Sequence, residues 1–290
     1  MFETNQFYES IFFLSFGKTP DFKQVRLISA GNVNQGVLLE VKESKFFLKV
    51  NFEPDAVIFE KEADGLNILR KNCPLKIPEV YHFGRFEERN FLLMEWIQEE
   101  KINKSYWEKL GEGLAQLHMA SFQFFGYPTD NFIASLSQIN SFNESWLDFF
   151  IESRLEPLIG KAYFEGLVNL EFLKKFRKIY AQLGNIFPRE KPSLIHGDLW
   201  SGNIMIGQNG NPALIDPAVY FGHREMDLAF SKLFGGFDRA FYQSYQDNFP
   251  LDPGFEEREA IYNLYPLLVH VLLFGKSYLS GIERTVGNFQ

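Results

Sequence analysis

The sequence predicts an α+β fold with two lobes, a small amino-terminal lobe around an antiparallel sheet and a larger, mostly helical carboxy-terminal lobe. Before Trp96, short alternating or apolar runs are separated by turn residues, as is typical of strands. After Trp96, the spacing of apolar residues follows the helical period. The chain has 290 residues, 46% of them hydrophobic, and can therefore bury a substantial core. We expect the lobes to cover residues 1–96 and 97–290.

In the amino-terminal lobe, the pattern predicts a leading helix, a sheet and a second helix. Residues 1–16 are expected to form the first helix, because Phe7, Ile11 and Leu14 can share one face. Strands are expected at residues 25–29, 36–41, 46–50 and 91–94. The second helix is expected at residues 57–71, between the third and fourth of these strands.

In the carboxy-terminal lobe, apolar residues recur at helical spacing over five segments. Helices are expected at residues 105–121, 145–159, 166–183, 226–233 and 255–280. The sequence contains no internal repeat, low-complexity tract or linker-like stretch. The length suits one two-lobed unit or two small domains.

Charge and composition exclude several classes of partner. Lys and Arg total 29 against 37 for Asp and Glu, a net charge of −8, and the sequence has no basic cluster suited to nucleic acid. It has no basic leader, and no run approaches the roughly 18 apolar residues of a membrane span. The single cysteine, Cys73, precludes an internal disulfide. We therefore expect a cytoplasmic globular protein that binds neither nucleic acid nor membranes; its oligomeric state stays open.

The most informative segment is residues 193–204, in which an apolar run leads into a polar loop. Asp198 and Asn203 lie five positions apart in this loop, and Asp216 follows 18 positions after Asp198, at the end of another short apolar run. This spacing of two carboxylates and an amide suits a magnesium-nucleotide phosphotransferase. Asp198 is the candidate catalytic base, while Asn203 and Asp216 are the candidate metal ligands.

Turn chemistry indicates how the two metal ligands could meet. The apolar runs at residues 204–206 and 213–215 are separated by a turn containing Asn-Gly, which is a hairpin signal. In an antiparallel hairpin, Asn203 and Asp216 lie at the same open end. Magnesium prefers oxygen ligands and usually takes one or two from the protein, with phosphates and waters completing its shell.

A simpler interpretation is that these residues only build turns. Asp, Asn and Gly are common in loops for conformational reasons alone, which would explain any one of His196, Asp198 and Asn203. His, Asp and Asn together at this fixed spacing are rarer by chance, and Asp216 at the expected distance downstream makes the coincidence rarer still. The combination favours the functional interpretation.

The small lobe contains separate candidates for binding nucleotide phosphates. Gly31 and Asn32 lie in a loop whose backbone N–H groups could approach phosphate oxygens, although the same residues are common in hairpin turns. Alternation along the strand at residues 46–50 puts Lys49 on the face opposite Leu48 and Val50. Inside an apolar strand, this cation requires an anion. The helix that follows offers a carboxylate, at Glu60 or Glu62, to orient this lysine.

The run His-Gly-Asp-Leu-Trp-Ser-Gly-Asn at residues 196–203, with Ile-Asp-Pro-Ala at residues 215–218, resembles the fructosamine kinase family, or ketosamine 3-kinases. The protein-kinase-like superfamily shares the sparser skeleton of this pattern. The resemblance therefore implies a protein-kinase-like fold, with ATP and Mg²⁺ as cofactors and GTP as the alternative nucleotide. It also implies phosphorylation at O3 of ketosamines, which are sugar adducts of protein lysines. Such a reaction would serve protein repair.

The resemblance also implies roles for single residues. It favours Glu62 over Glu60 as the partner of Lys49, and it makes Asp227 a brace for the backbone of the catalytic loop; an ordinary helix N-terminal Asp is the alternative for Asp227. His196 is expected to hold the loop. The segment Met94, Glu95, Trp96 and Ile97 resembles the hinge that receives adenine.

Substrate specificity is less determined by the sequence. Only ten residues, 217–226, separate Asp216 from Asp227, which favours an open cleft for a small or side-chain-borne sugar. Trp200, Tyr220 and His223 could line this cleft, since aromatic faces pack on the apolar faces of sugars, or could belong to the core. An aminoglycoside or other small-molecule phosphotransferase and a nucleotide-binding pseudokinase remain alternatives.

Overall fold

A computed structural model describes residues 5–30, 34–52 and 57–289 of the chain. The predicted phosphate-loop residues Gly31 and Asn32 lie outside the described residues. The amino-terminal part carries one five-stranded sheet, and the rest is mostly helical, which confirms the predicted fold class. Within the described residues, no helix is both long enough and apolar enough to cross a membrane.

The amino-terminal lobe consists of a helix, the sheet and a second helix. Helix α1 spans Asn5–Phe16 and helix α2 spans Val57–Asn72. The strands are β1 (Phe22–Ala30), β2 (Gln35–Val41), β3 (Ser44–Asn51), β4 (Val80–Phe86) and β5 (Arg89–Glu95), in the order β1-β2-β3-β5-β4 with antiparallel neighbours. Strand β4 was not among the strands expected from the sequence.

Strand β3 shows why this lobe positions a charged group. Its side chains alternate between the faces of the sheet, so Leu48 and Val50 point to a core shared with α1. Lys49, between them, faces the opposite side, towards α2 and the carboxy-terminal lobe. The lobe thus presents one buried lysine, with a relative exposure of 8%, towards the space between the lobes.

The carboxy-terminal lobe begins after an extended connection between Glu95, where β5 ends, and Tyr106, where α3 begins. No element boundary marks one position within this connection, and the division between residues 96 and 97 stays a prediction. Its helices are α3 (Tyr106–His118), α4 (Trp146–Phe149), α5 (Glu156–Phe164), α6 (Leu170–Lys178), α7 (Tyr180–Leu183), α8 (Glu225–Leu233), α9 (Arg239–Asn248), α10 (Phe255–Tyr262), α11 (Leu264–Phe274) and α12 (Leu279–Gly287). A π-helical segment, Phe150–Leu155, joins α4 to α5.

Three two-stranded sheets carry the irregular part of this lobe. The strands are β6 (Asn131–Ile133), β7 (Leu136–Gln138), β8 (Ser193–Ile195), β9 (Ile204–Ile206), β10 (Pro212–Leu214) and β11 (Tyr220–Gly222). They pair as β6 with β7, β8 with β11 and β9 with β10, all antiparallel. The residues just before β9 and just after β10 therefore lie at the same end of this strand pair, next to the loop that follows β8.

Two helix predictions require correction. The single helix expected at residues 255–280 is interrupted at Asn263, and again at Gly275, whose φ of 90° is incompatible with a helix. The helix expected at residues 166–183 is two shorter helices, α6 and α7. Short or mixed patterns give weak periodic signals, and for this reason several further elements were not predicted: β6, β7, β11, α9 and α12.

Candidate active site

The candidate catalytic loop follows the buried strand β8, and Asp227 on α8 holds its first residues through hydrogen bonds. The Asp227 carboxylate accepts hydrogen bonds from the backbone N–H of His196, at 2.7 Å, and of Gly197, at 2.9 Å. His118 Nε2 lies 3.1 Å from the same carboxylate. Asp227 is almost fully buried, so these contacts replace water and set the position of the loop.

His196 connects the loop to the strand pair β9–β10. Its Nε2 donates to the carbonyl oxygen of Ile215 at 3.0 Å, and its Nδ1 accepts from the backbone N–H of Asp198 at 3.3 Å. Burial lowers the pKa of His196, although the nearby Asp227 acts in the opposite direction. The ring is therefore a neutral imidazole with one defined tautomer, suited to holding the loop.

Gly197 is a residue whose importance the sequence analysis missed. Its φ is +82°, and a Cβ built there would lie 2.0 Å from the carbonyl oxygen of Ala218. The backbone thus approaches the segment after Asp216 more closely than any side chain would allow. The available signal was a glycine directly before the candidate base.

Asp198 projects from this loop and is contacted by Asn203. The Asn203 Nδ2 donates to Oδ2 of Asp198 and to its carbonyl oxygen, each at 2.8 Å. Burial, together with the negative charges of Asp216 and Asp227, raises the pKa of Asp198 to about 7. The hydrogen bond from Asn203 acts in the opposite direction but is outweighed.

The strand pair β9–β10 brings Asn203 and Asp216 to the same end. Leu214 pairs with Ile204, and the N–H of Ile215 donates to the carbonyl oxygen of Asn203 at 3.1 Å. Asp216 then turns back into the space between the lobes, with a φ of 53° that non-glycine residues rarely adopt. Such strained residues cluster at functional sites.

Lys49 contacts carboxylates from both lobes. Its Nζ lies 2.7 Å from Oε1 of Glu62 on α2 and 2.5 Å from Oδ1 of Asp216. Burial lowers the pKa of Lys49, but the charges of Asp216 and Glu62 outweigh this effect and hold the pKa above its usual value. The ammonium therefore remains charged at neutral pH.

These residues surround one cavity of about 250 Å³ between the lobes. Trp200 belongs to its wall, and Phe132 at the β6–β7 hairpin lies on another side. The indole of Trp200 can lie against the loop because residue 202 is glycine; a Cβ there would come within 2.4 Å of the ring. The structure thus brings Lys49, Glu62, Asp198, Asn203, Asp216 and Trp200 to one space.

Tyr220 and His223, which could have lined the cleft, belong to the core instead. Tyr220 is fully buried, with its ring packed 3.9 Å from the guanidinium carbon of Arg154. His223 is 1% exposed, stacks on Trp146 at 4.5 Å and contacts the hydroxyl of Tyr262 at 2.9 Å. Their positions follow from the pairing of β11 with β8, which draws this segment inward.

The predicted hinge lies beside a different space. Met94 is buried in the core, while Glu95, Trp96 and Ile97 line a second cavity of about 960 Å³ on the side of α3. The N–H of Glu95 donates to the carbonyl oxygen of Glu79 at 2.7 Å. The Trp96 ring centroid lies 6.1 Å from that of Phe47, which shares a face of β3 with Lys49.

A five-stranded sheet carries Lys49, which pairs with Glu62 and faces Asp198 and Asn203 of the loop after β8 and Asp216 after β10. This arrangement defines a two-lobed, protein-kinase-like phosphotransferase. A family model described as fructosamine kinase matches residues 8–289. The chain therefore belongs to the fructosamine kinase family.

Individual relatives agree with this assignment. A protein of Enterococcus faecium named a probable ketoamine kinase is 39% identical over 264 residues, which are 90% of this chain and 94% of the relative. The chloroplastic protein-ribulosamine 3-kinase of Oryza sativa subsp. japonica is 33% identical over 284 residues, covering 95% of this chain and 81% of that protein. A solved structure from Haemophilus somnus, named as a fructosamine-3-kinase, superposes with a TM-score of 0.86 at 29% identity, covering 97% and 96% of the two chains.

Proposed function

We propose that this protein transfers the γ-phosphate of ATP to O3 of a ketosamine, with Asp198 as the catalytic base. The observation that carries the proposal is that Asp198 and Trp200 face the same cavity as Lys49, Asn203 and Asp216. The names of the relatives, which refer to ketoamines, ribulosamine and fructosamine, support the choice of acceptor. Phosphorylation of such adducts on protein lysines would be a step of protein repair.

The size and wall of the cavity support a compact acceptor. Its volume of about 250 Å³ is below the roughly 300–1,000 Å³ typical of sites for drug-sized ligands. The phosphates and the metal ion would occupy part of this space, so the room left for the acceptor suits one sugar unit better than a polycationic aminoglycoside of several rings. The indole of Trp200 offers a flat apolar surface on which a sugar face can pack.

Asp198 would act on the attacking hydroxyl group. As the O3 oxygen bonds to the γ-phosphorus, the bond from that phosphorus to the bridging oxygen breaks and ADP leaves. The hydroxyl proton passes to a carboxylate oxygen of Asp198, which Asn203 holds in place through a 2.8 Å hydrogen bond. Lys49 would bind the phosphate oxygens, with Glu62 keeping its ammonium in position.

The residues at the open end of β9 and β10 fit a magnesium ion. Because Nδ2 of Asn203 faces Asp198, its amide oxygen is directed elsewhere and can serve as a ligand beside Asp216. Two protein ligands are enough for Mg²⁺, which usually takes one or two oxygens from the protein and completes its shell with phosphates and waters. The ion would neutralise charge on the phosphates.

The adenine base would lie along the cleft face of β3. Phe47, two residues before Lys49 on this face, contacts Trp96 of the proposed hinge. Backbone groups of Glu95 and Ile97 would then supply an acceptor and a donor for the base edge. The phosphate-binding role of Gly31 and Asn32 stays a prediction.

The pair Glu60 and Glu62 offers a test with a built-in control. Glu62→Gln removes the charge that orients Lys49 and is expected to lower kcat/KM for Mg-ATP by about 10- to 100-fold. Glu60→Gln changes an exposed side chain on the same helix and should leave kcat/KM near the wild-type value. Steady-state kinetics at saturating acceptor distinguish the two. Equal losses in both variants would contradict the role given to Glu62.

A substrate panel tests the proposed function directly. Purified protein with Mg-ATP is offered ribulose-lysine, fructose-lysine, erythrulose-lysine, kanamycin and choline, with ADP release as the readout and ³¹P NMR to locate the phosphate. We expect phosphorylation of at least one ketosamine, at O3, and little turnover of kanamycin or choline. Efficient turnover of kanamycin or choline alone would favour the alternative phosphotransferase, and no turnover of any acceptor would favour a pseudokinase.

A further inference from the structure

Arg154 is a fully buried cation at the centre of the carboxy-terminal lobe. It belongs to the π-helical segment Phe150–Leu155, a rare backbone form that often marks functional sites. Its guanidinium carbon lies 3.9 Å from the ring centroid of Tyr220 and 4.6 Å from that of Phe149. One ring belongs to β11 and the other to α4, and both pack against the charged group.

The hydrogen-bond partners of Arg154 are neutral. Nη2 donates to Oδ1 of Asn140 at 2.7 Å, and Nη1 donates to the carbonyl oxygens of Ile139 and Ser153. Two other buried arginines in this lobe, Arg224 and Arg258, instead form ion pairs with glutamates. Because a buried charge with neutral partners is costly, a purely structural role is a poor explanation for Arg154.

From Asn140 a ladder of side-chain amides continues towards the active site. Asn140 Nδ2 donates to Oδ1 of Asn131 at 2.8 Å, and Gln138 Nε2 donates to the same oxygen at 2.7 Å. The hydroxyl of Tyr265 donates to Oε1 of Gln138 at 2.6 Å. Arg154 thus lies at one end of a buried network that includes both strands of the β6–β7 hairpin.

The other end of the network holds the segment that follows Asp216. Asn131 Nδ2 donates to the carbonyl oxygen of Val219 at 2.8 Å, and Gln138 Nε2 donates to that of Ala218 at 3.1 Å. The N–H of Ala218 donates in turn to the carbonyl oxygen of His196 at 2.9 Å. The strained backbone of Asp216 is therefore fixed on its carboxy-terminal side.

We propose that Arg154 is a positioning residue for Asp216, acting through Asn140, Asn131 and Gln138. The guanidinium orients the amide of Asn140, and the amide ladder then fixes the carbonyl groups of Ala218 and Val219. The inference rests on the proposed function in so far as Asp216 is a magnesium ligand there. Groups behind a metal ligand commonly affect metal affinity or activity by about 10- to 100-fold when they are removed.

The test compares Arg154→Met, Arg154→Lys and Gln138→Leu with the wild type. We expect Arg154→Met to raise the Mg²⁺ concentration for half-maximal activity by roughly 10-fold and to lower kcat, with KM for the acceptor nearly unchanged. Arg154→Lys keeps the positive charge and a single donor nitrogen, and it should recover part of this loss. Gln138→Leu breaks the ladder next to Ala218 and should reproduce the Mg²⁺ effect, so it carries the test if Arg154→Met does not fold.

Arg258→Met is the matched control, because it removes a buried arginine whose contacts are Glu225, Asp252 and Pro253. It should lower the urea midpoint of unfolding and leave the Mg²⁺ requirement unchanged. If Arg154→Met and Gln138→Leu behave like Arg258→Met, the positioning role is wrong. Equilibrium binding of Mg-ADP, titrated with Mg²⁺, gives the same comparison without an acceptor. A changed Mg²⁺ dependence in an enzyme that ignores ketosamines would thus retain this inference and refute only the proposed substrate.

Discussion

The Asp198→Asn enzyme should bind Mg-ATP nearly as well as the wild type and yet lose turnover by roughly 10²- to 10⁴-fold, the usual contribution of a general base. The substituted amide keeps an oxygen that can accept the hydrogen bond from Asn203, so the loop should keep its shape. It can no longer accept the proton of the attacking hydroxyl. Single-turnover kinetics measure the loss, and isothermal titration measures nucleotide binding.

Asp247→Asn is a suitable control for this substitution. Asp247 lies exposed on α9, where it accepts a hydrogen bond from Gln243, and the same change of charge there should leave turnover intact. A near-normal rate in Asp198→Asn would exclude Asp198 as the base. Loss of nucleotide binding in parallel with turnover would instead indicate that the substitution disturbs the loop as a whole.

Gly197→Ala should have the largest combined effect on stability and activity among substitutions to alanine in the loop. The new methyl would overlap the carbonyl oxygen of Ala218, a backbone atom with little freedom to move, in a conformation that L-residues avoid. The backbone conformation alone costs about 1–2 kcal/mol. Displacement of the loop by about 1 Å should lower kcat/KM by about 100-fold. Urea unfolding and steady-state kinetics measure the two effects.

Gly166→Ala separates conformational strain from steric overlap. Gly166 also has a positive φ, +71°, but nothing lies within 4 Å of the Cβ position. It should show the conformational cost alone, with activity unchanged. If Gly197→Ala destabilises the protein no more than Gly166→Ala and retains activity, the close approach of Gly197 to Ala218 is not needed for stability or activity.

Local sequence signals predicted the parts of the site that depend on neighbouring residues. The Asn-Gly turn placed Asn203 and Asp216 at one end of a hairpin, and the structure pairs Leu214 with Ile204 in that arrangement. Alternation along β3 placed Lys49 on the face away from the apolar core, where it is found. Both inferences needed only the periodicity of strands and the chemistry of one turn.

Features built from distant segments could not be predicted in this way. The Arg154 network joins side chains from residues 131–140, 154 and 265 to the carbonyl groups of residues 218 and 219, and no local pattern links these positions. The aromatic character of Tyr220 and His223 suited a sugar-binding cleft and a core equally well. Only the pairing of β11 with β8 decides between the two, because it turns this segment inward.

The short segment between Asp216 and Asp227 also bears on how activity is controlled. Residues 217–226 are all buried except Phe221, which is half-buried, and the segment is held by β8, by His196 and by the amides of Asn131 and Gln138. Kinases that switch on by phosphorylation have a loop in this place that changes from disorder to order. Residues 217–226 are already buried in the core and have no disordered state of this kind to leave. We therefore expect no activation by ordering of this segment.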